Sequence, residues 1–149
     1  MHILNMSFVS IWVHSVWTTK NRLPLLKEQI RDTIIAHILE NAESKGIYID
    51  HINGYTNHLH ALISLGRTQS ISEVMQKIKG ESSFWINKNR LTTLRFEWQD
   101  DFWAASVGFD HIKYLRKYIK SQVSHHQNES VDNELDRLIS LYGIKRIKD

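Results

Sequence analysis

Cysteine is absent from the 149 residues, which excludes disulfides and thiolate metal sites and makes a reducing cytoplasm the default location. Proline occurs once, at Pro24, and no repeat or low-complexity segment interrupts the chain. No apolar run is long enough to span a bilayer and no signal-peptide pattern opens the sequence, so no membrane partner is expected. No Walker-type glycine loop is present to bind ATP. Neither sign of charge dominates: 19 Lys and Arg face 16 Asp and Glu, a net +3 that does not by itself argue for nucleic-acid binding. What excess there is concentrates in residues 76 to 127, with nine basic against five acidic side chains. Hydrophobic residues make up 42% and charged residues 23%, an ordinary globular composition. The length suits one domain, 1–149, with "MHILN" before Met6 read as an extended start.

Periodicity gives the element order. "MSFVSIWVHSVWTT" alternates and is rich in β-branched and aromatic residues, which predicts a strand. Leu26, Ile30, Ile34 and Ile38 recur every fourth residue and predict a helix that ends near Gly46. "IYIDHIN" and "HLHALISL" predict two strands joined at Asn53-Gly54, a strong hairpin signal. Ser70 and Glu73 form a capping box for a helix striped by Ile71, Val74, Met75 and Ile78, with Gly80 either interrupting it or admitting a close approach. "RFEWQDDFWAASV" reads as a loop and a strand, and "DHIKYLRKYIKSQVSHH" as a helix capped by Asp110. A last short amphipathic helix within 128–149 starts at Ser130 and uses Val131, Leu135, Leu138, Ile139 and Tyr142. The first six elements, β-α-β-β-α-β, predict an α+β fold. It is a ferredoxin-like (split βαβ, RRM-like) antiparallel sheet with helices packed on it, followed by a C-terminal helix.

Two sets of residues could carry chemistry. Side chains alternate along a strand, so His58 and His60 share one face with Leu62 and Ser64. Such a pair is either part of a metal site or a polar patch that contains histidine. Tyr118 and Gln122 are four apart and share a helix face away from the stripe of Ile112, Leu115 and Ile119. Two histidines and a glutamine oxygen would form a neutral ligand set that leaves the charge of Mg²⁺ or Mn²⁺ uncompensated. The cation would then polarise a phosphate oxygen, with the Tyr118 phenol beside it as a nucleophile.

"HLHALISL" resembles the His-hydrophobic-His motif of HUH nucleases, and "YIKSQ" followed by "HH" resembles the catalytic helix of the single-tyrosine HUH transposases of bacterial insertion sequences. "HSVWTTKNRLPLL", "INGYTNHLHALISL", "ISEVMQKIKGESSFWINKN" and "FEWQDDFWAASV" are similar to the IS-two-hundred-like group and its REP-associated relatives, in the same order over roughly residues 7 to 127. "WQDDFW" departs from the family pattern in lacking a glycine in the turn. The resemblance implies a DNA transposase that cuts and rejoins single-stranded DNA at hairpin-marked element ends. Tyr118 would form a 5′-phosphotyrosine, and His58, His60 and Gln122 would hold the metal. It favours a homodimer with histidines from one subunit and tyrosine from the other, an arrangement that the short segment from Trp103 to Asp110 would permit. Lys20, Arg22, Lys77, Lys79, Lys88, Arg90 and Arg95 are the candidate DNA-binding cations, Trp85, Trp98 and Trp103 the candidate stacking surfaces, and Lys113, Lys117 and Lys120 the candidate cations near the phenol. The alternatives are a non-catalytic nucleic-acid-binding module, a domesticated HUH nuclease, and a two-histidine phosphodiesterase, for which a second His-x-Thr/Ser motif is wanting.

Overall fold

The computed structural model describes residues 7–126 and 128–143; the expected extended start, 1–6, and the last six residues lie outside them. Four strands, β1 (Ile11–Thr18), β2 (Tyr48–Gly54), β3 (His58–Leu65) and β4 (Trp103–Val107), form one antiparallel sheet in the order β2-β3-β1-β4. Helix α1 (Glu28–Ser44) joins β1 to β2 and α2 (Ile71–Lys88) joins β3 to β4, which gives the split βαβ order. Helices α3 (Ile112–Lys120), α4 (Gln122–His126) and α5 (Val131–Tyr142) follow. The α+β reading holds.

The two central strands explain why "HLHALISL" and "IWVHSVWT" carry apolar residues at both parities: helices cover both faces of the sheet. On one face Trp17, Leu59, Ala61 and Ile63 pack with Leu26, Ile34 and Ile38 on the α1 side and Val74, Met75, Ile78 and Ile86 from α2. On the other, Leu62 and Val107 meet Ile112, Leu115 and Ile119 of α3. Val16 meets Val131, Leu135 and Leu138 of α5. Register places His60 opposite Val16, His58 opposite Thr18 and Leu62 opposite His14. The second face is therefore apolar under α3 and under α5, with the imidazoles of His14, His58 and His60 buried between.

Several boundaries differ from the sequence reading. Asn53 and Gly54 are the last paired residues of β2, opposite His60 and Leu59, and residues 55–57 make the turn. Gly54 is needed there for space, because a Cβ at this position would lie 2.0 Å from the His58 carbonyl oxygen. Helix α2 runs through Gly80 without interruption. Ser70 accepts from the Glu73 amide and Ser130 from the Asn133 amide, so both expected N-caps form. Asp110 lies in a single 3-10 turn, Phe109–His111, and α3 begins only after it, with His111 at its N-cap and no side-chain cap bond. Of "RFEWQDDFW", Trp98 makes an isolated bridge to Thr19, and the regular strand starts at Trp103.

Candidate active site

The helix expected to run through 110–126 is broken at Ser121. Its hydroxyl bonds the carbonyls of Lys117 and Tyr118, competing with the continuing helical ladder. The Asn53 amide also donates to the Lys120 carbonyl at 3.0 Å and fixes the end of α3 against the sheet. The chain restarts as α4, which turns both Gln122 and His126 inward, where they are buried.

Glu134 stands at the centre of the site and is 0% exposed. Its Oε1 lies 2.7 Å from His126 Nε2, 3.0 Å from His60 Nε2 and 3.3 Å from His58 Nε2. Its Oε2 accepts from Gln122 Nε2 at 3.1 Å and from the Tyr118 hydroxyl in a short hydrogen bond. The Gln122 amide is thereby oriented with Oε1 toward His58 Nε2, 3.1 Å away. Burial pushes the Glu134 carboxyl up, but the His126, His58 and His60 rings, whenever they present an N–H to it, outweigh burial and hold the group well below the usual carboxylate range. Burial also lowers His58, to about 4, and lowers His60, in both cases against the pull of Glu134. Burial and the neighbouring Glu134 push the Tyr118 phenol above its ordinary value, while Arg137, donating to the phenol oxygen at 3.0 Å, opposes that shift.

The other ring nitrogens of the three histidines are engaged behind the site. His126 Nδ1 sits 2.6 Å from the Glu129 carbonyl oxygen, which can only accept, so this nitrogen carries a hydrogen and donates. His60 Nδ1 faces His14 Nε2 at 2.8 Å, and His58 Nδ1 faces Asn57 Oδ1 at 3.0 Å. A neutral imidazole has one N–H. The neutral form of His126 therefore aims a lone pair, not a donor, at the Glu134 carboxylate. That convergence is balanced only by positive charge, either a further proton or a metal ion. An outer nitrogen fixed by a carbonyl with the inner one turned to a common point is how histidine ligands are oriented. One donor atom from each of His58, His60, His126 and Glu134 lies within 4.8 Å of all the others, so the residues fit a divalent cation.

The family model for "Transposase IS200 like" matches residues 7–122. The chain belongs to this family. No curated protein matches it by sequence. Among solved structures it is similar to a protein described as a transposase from Deinococcus radiodurans R1, with a TM-score of 0.63, 16% identity, and coverage of 82% of this chain and 98% of that one. It is also similar to a REP-associated tyrosine transposase bound to a REP hairpin, with a TM-score of 0.62, 15% identity, and coverage of 85% and 74%. At these identities the likeness is one of fold. His126, Glu134 and Arg137 all lie beyond the stretch that matches the IS200-like family.

The structure brings His58, His60, Tyr118 and Gln122 together and adds residues to which the sequence reading gave no role. The expected ligand set was neutral; the site instead contains a buried carboxylate, because Glu134 occupies a core-facing position of α5 between Val131 and Leu138. That placement carried a signal, since a charged residue at i+3 from Val131 and i−4 from Leu138 falls on the apolar stripe. The Tyr118 ring lies 5.7 Å from that of His60 within the chain. The cation at the phenol is Arg137, whereas Lys113, Lys117 and Lys120 lie exposed.

The candidate DNA-binding cations fall into two groups. Lys77, Lys88 and Arg90 are exposed, with the Lys88 ammonium 6.0 Å from the Phe84 ring. Lys20 pairs with Glu97 at 3.3 Å, and the exposed Arg95 lies 4.0 Å from the same residue. Arg22 donates to Asp132 of α5 at 3.0 Å and to Thr18 at 2.8 Å, so it ties α5 to the end of β1. Lys79 donates to the carbonyls of Gln99, Asp100 and Asp101, holding in shape the loop that lacks the family glycine. Of the tryptophans, Trp98 is core, Trp85 stacks on His37 at 3.9 Å, and Trp103 is half-buried against the Val16 cluster under Arg22.

Proposed function

We propose that the chain is the catalytic unit of a DNA transposase that cuts and rejoins single-stranded DNA by a metal-dependent transesterification, with Tyr118 as nucleophile. One observation carries the reading. The Tyr118 hydroxyl is hydrogen-bonded to the same buried carboxylate on which three imidazole Nε2 atoms converge. The ring of Tyr118 packs at the edge of the cluster of Ile112, Leu115 and Ile119, while its hydroxyl reaches past it to the carboxylate.

His58, His60, His126 and Glu134 Oε1 would hold Mg²⁺ or Mn²⁺, with Gln122 Oε1 beside His58 as a further oxygen. A cation bound there supplies Lewis-acid polarisation of a phosphate oxygen. Glu134 Oε2 already accepts the Tyr118 hydrogen bond and is placed to take the phenol proton as the oxygen attacks. The Tyr118 Oη–P bond forms as the P–O3′ bond breaks, the departing 3′-oxygen receives a proton, and the DNA remains as a 5′-phosphotyrosine. The phosphoester is conserved, so a second 3′-hydroxyl reverses the step on another strand without ATP.

A homodimer, which the resemblance favoured, would hold two DNA ends at once. The substrate is read as single-stranded DNA with hairpins, because a family member of this fold binds a REP hairpin. Lys77, Lys88 and Arg90 are exposed cations for its phosphates and Lys20 an accessible one, while Arg22 and Lys79 act through the loops and helix they hold.

The test is incubation with a single-stranded hairpin oligonucleotide from the flanks of the gene. The protein should nick it in Mg²⁺ or Mn²⁺, and His58→Ala, His60→Ala or excess EDTA should abolish nicking. Binding without nicking under every metal condition would leave a nucleic-acid-binding module instead.

A further inference from the structure

We propose that Arg137 is a catalytic residue that grips the scissile phosphate on the side of Tyr118 away from the metal ligands. The assignment rests on the reading of Tyr118 as nucleophile. Tyr118 Oη has two polar partners among the described residues, one buried and one exposed. Inward is Glu134, completely buried with the histidines. Outward is Arg137 Nη2, which donates to Oη at 3.0 Å from a side chain 43% exposed. Its Cζ lies 5.8 Å from the centroid of the Tyr118 ring, so the guanidinium leans over the phenol from the solvent side. The same side chain contacts Glu129, at 3.3 Å from Nε and 3.5 Å from Nη2, and His125 Nε2 at 3.2 Å. Nη1 has no hydrogen-bond partner among the described residues, which leaves donors of the fork for a phosphate.

A phosphorus poised for attack stands about 3–3.5 Å from the attacking oxygen. A guanidinium already in hydrogen-bond contact with Oη is then within reach of the free phosphate oxygens, and its planar fork suits two of them. DNA reaches a buried metal site from the exposed side, so it arrives where Arg137 is. The charge that develops on the equatorial oxygens would lie between the metal ligands and the guanidinium, and stabilisation of that charge is the main thing a protein contributes to phosphoryl transfer. The ion pair with Glu129 holds the guanidinium in place before substrate binds.

The experiment is single-turnover cleavage of a single-stranded hairpin oligonucleotide in Mn²⁺ by wild type, Arg137→Gln and Arg137→Lys. The scissile phosphate is supplied as the normal diester and as each phosphorothioate diastereomer. Arg137→Gln should slow cleavage about 100-fold or more, the usual loss on removing one donor at a developing oxyanion. Hairpin affinity, measured on a Tyr118→Phe background, should change less than threefold. Arg137→Lys should recover part of the rate. One diastereomer should be cut more slowly than the other by wild type, and that preference should shrink in Arg137→Gln, a readout that a purely structural arginine does not move.

A wild-type rate retained in Arg137→Gln would overturn the proposal. So would a loss of rate with the diastereomer preference unchanged, or a loss matched by an equal loss of folding and affinity with no recovery in Arg137→Lys. A wild-type protein that cleaves nothing would overturn the reading of Tyr118 and this proposal with it. Failure confined to the variants, with the wild type active, overturns the arginine role alone.

Discussion

Glu134→Gln replaces the central carboxylate with a group of the same shape and no charge. Glu134 accepts from Gln122 and Tyr118 on one oxygen and faces three imidazole Nε2 atoms within 3.3 Å on the other. Hydrogen bonds to a charged group contribute about 1.5–3 kcal/mol each, and breaking a buried charge-paired cluster costs about 3–5 kcal/mol. The amide oxygen keeps some of these bonds, while its NH₂ meets ring nitrogens or the phenol. A net loss of roughly 3 kcal/mol follows, at the low end of the buried-pair range. For a chain of this size that lowers Tm by roughly 6–12 °C. Thermal and urea melts of wild type and variant in EDTA near pH 7.5 measure it. A saturating divalent cation should stabilise wild type by about 2.7 kcal/mol at a hundredfold excess over its Kd, and the variant by clearly less. A variant melting within about 1 °C of wild type in EDTA would show that Glu134 does not organise the site.

Two further outcomes concern the same site. His58 is neutral in the folded protein down to about pH 4, while the unfolded imidazole protonates near its ordinary 6.5. The unfolded chain therefore binds more protons in that window, and stability present above 6.5 is lost as pH falls toward 4, by roughly 3 kcal/mol from this group. Urea midpoints in EDTA across that range should fall accordingly, and a flat profile would contradict the burial of a neutral imidazole. Mixing inactive His58→Ala with inactive Tyr118→Phe should partly restore cleavage if a homodimer shares its sites, as the family resemblance implies; no recovery despite demonstrated subunit exchange would mean that histidines and tyrosine act within one chain.

The sheet was legible because β1 and β3 are short runs rich in β-branched, aromatic and apolar residues, and the two-residue period of a strand puts His58 and His60 on a common face. Helices α1, α2 and α5 were legible from stripes spaced by three and four. The errors lie where tertiary contacts override local preference. Asn53-Gly54 reads as a turn, yet Gly54 extends the strand because the chain returns within van der Waals reach of its Cα. The break at Ser121 depends on two hydroxyl-to-carbonyl bonds and on Asn53, 67 residues upstream of the Lys120 carbonyl it grips. No window along the sequence contains that contact. Half of the site was visible for the same reason as the strand. His126 was visible only as part of the "HH" that follows "YIKSQ", with no ligand role, and Glu134 and Arg137 not at all as site residues, because they reach the histidines only through the bend at Ser121 and the docking of α5 on Val16. Glu134 alone left a local trace, as a charge inside an apolar stripe.

The most direct measurement of whether this site breaks DNA through Tyr118 is the identity of the covalent link. The protein is incubated with a single-stranded hairpin oligonucleotide labelled at its 3′ end in Mn²⁺, denatured, digested and mapped by mass spectrometry. A tyrosine nucleophile at the buried His–Glu cluster predicts a metal-dependent adduct, a 5′-phosphotyrosine on the peptide containing Tyr118, that is missing from Tyr118→Phe. An adduct that survives in Tyr118→Phe, or one that maps to Tyr114 a turn earlier on α3, would contradict it.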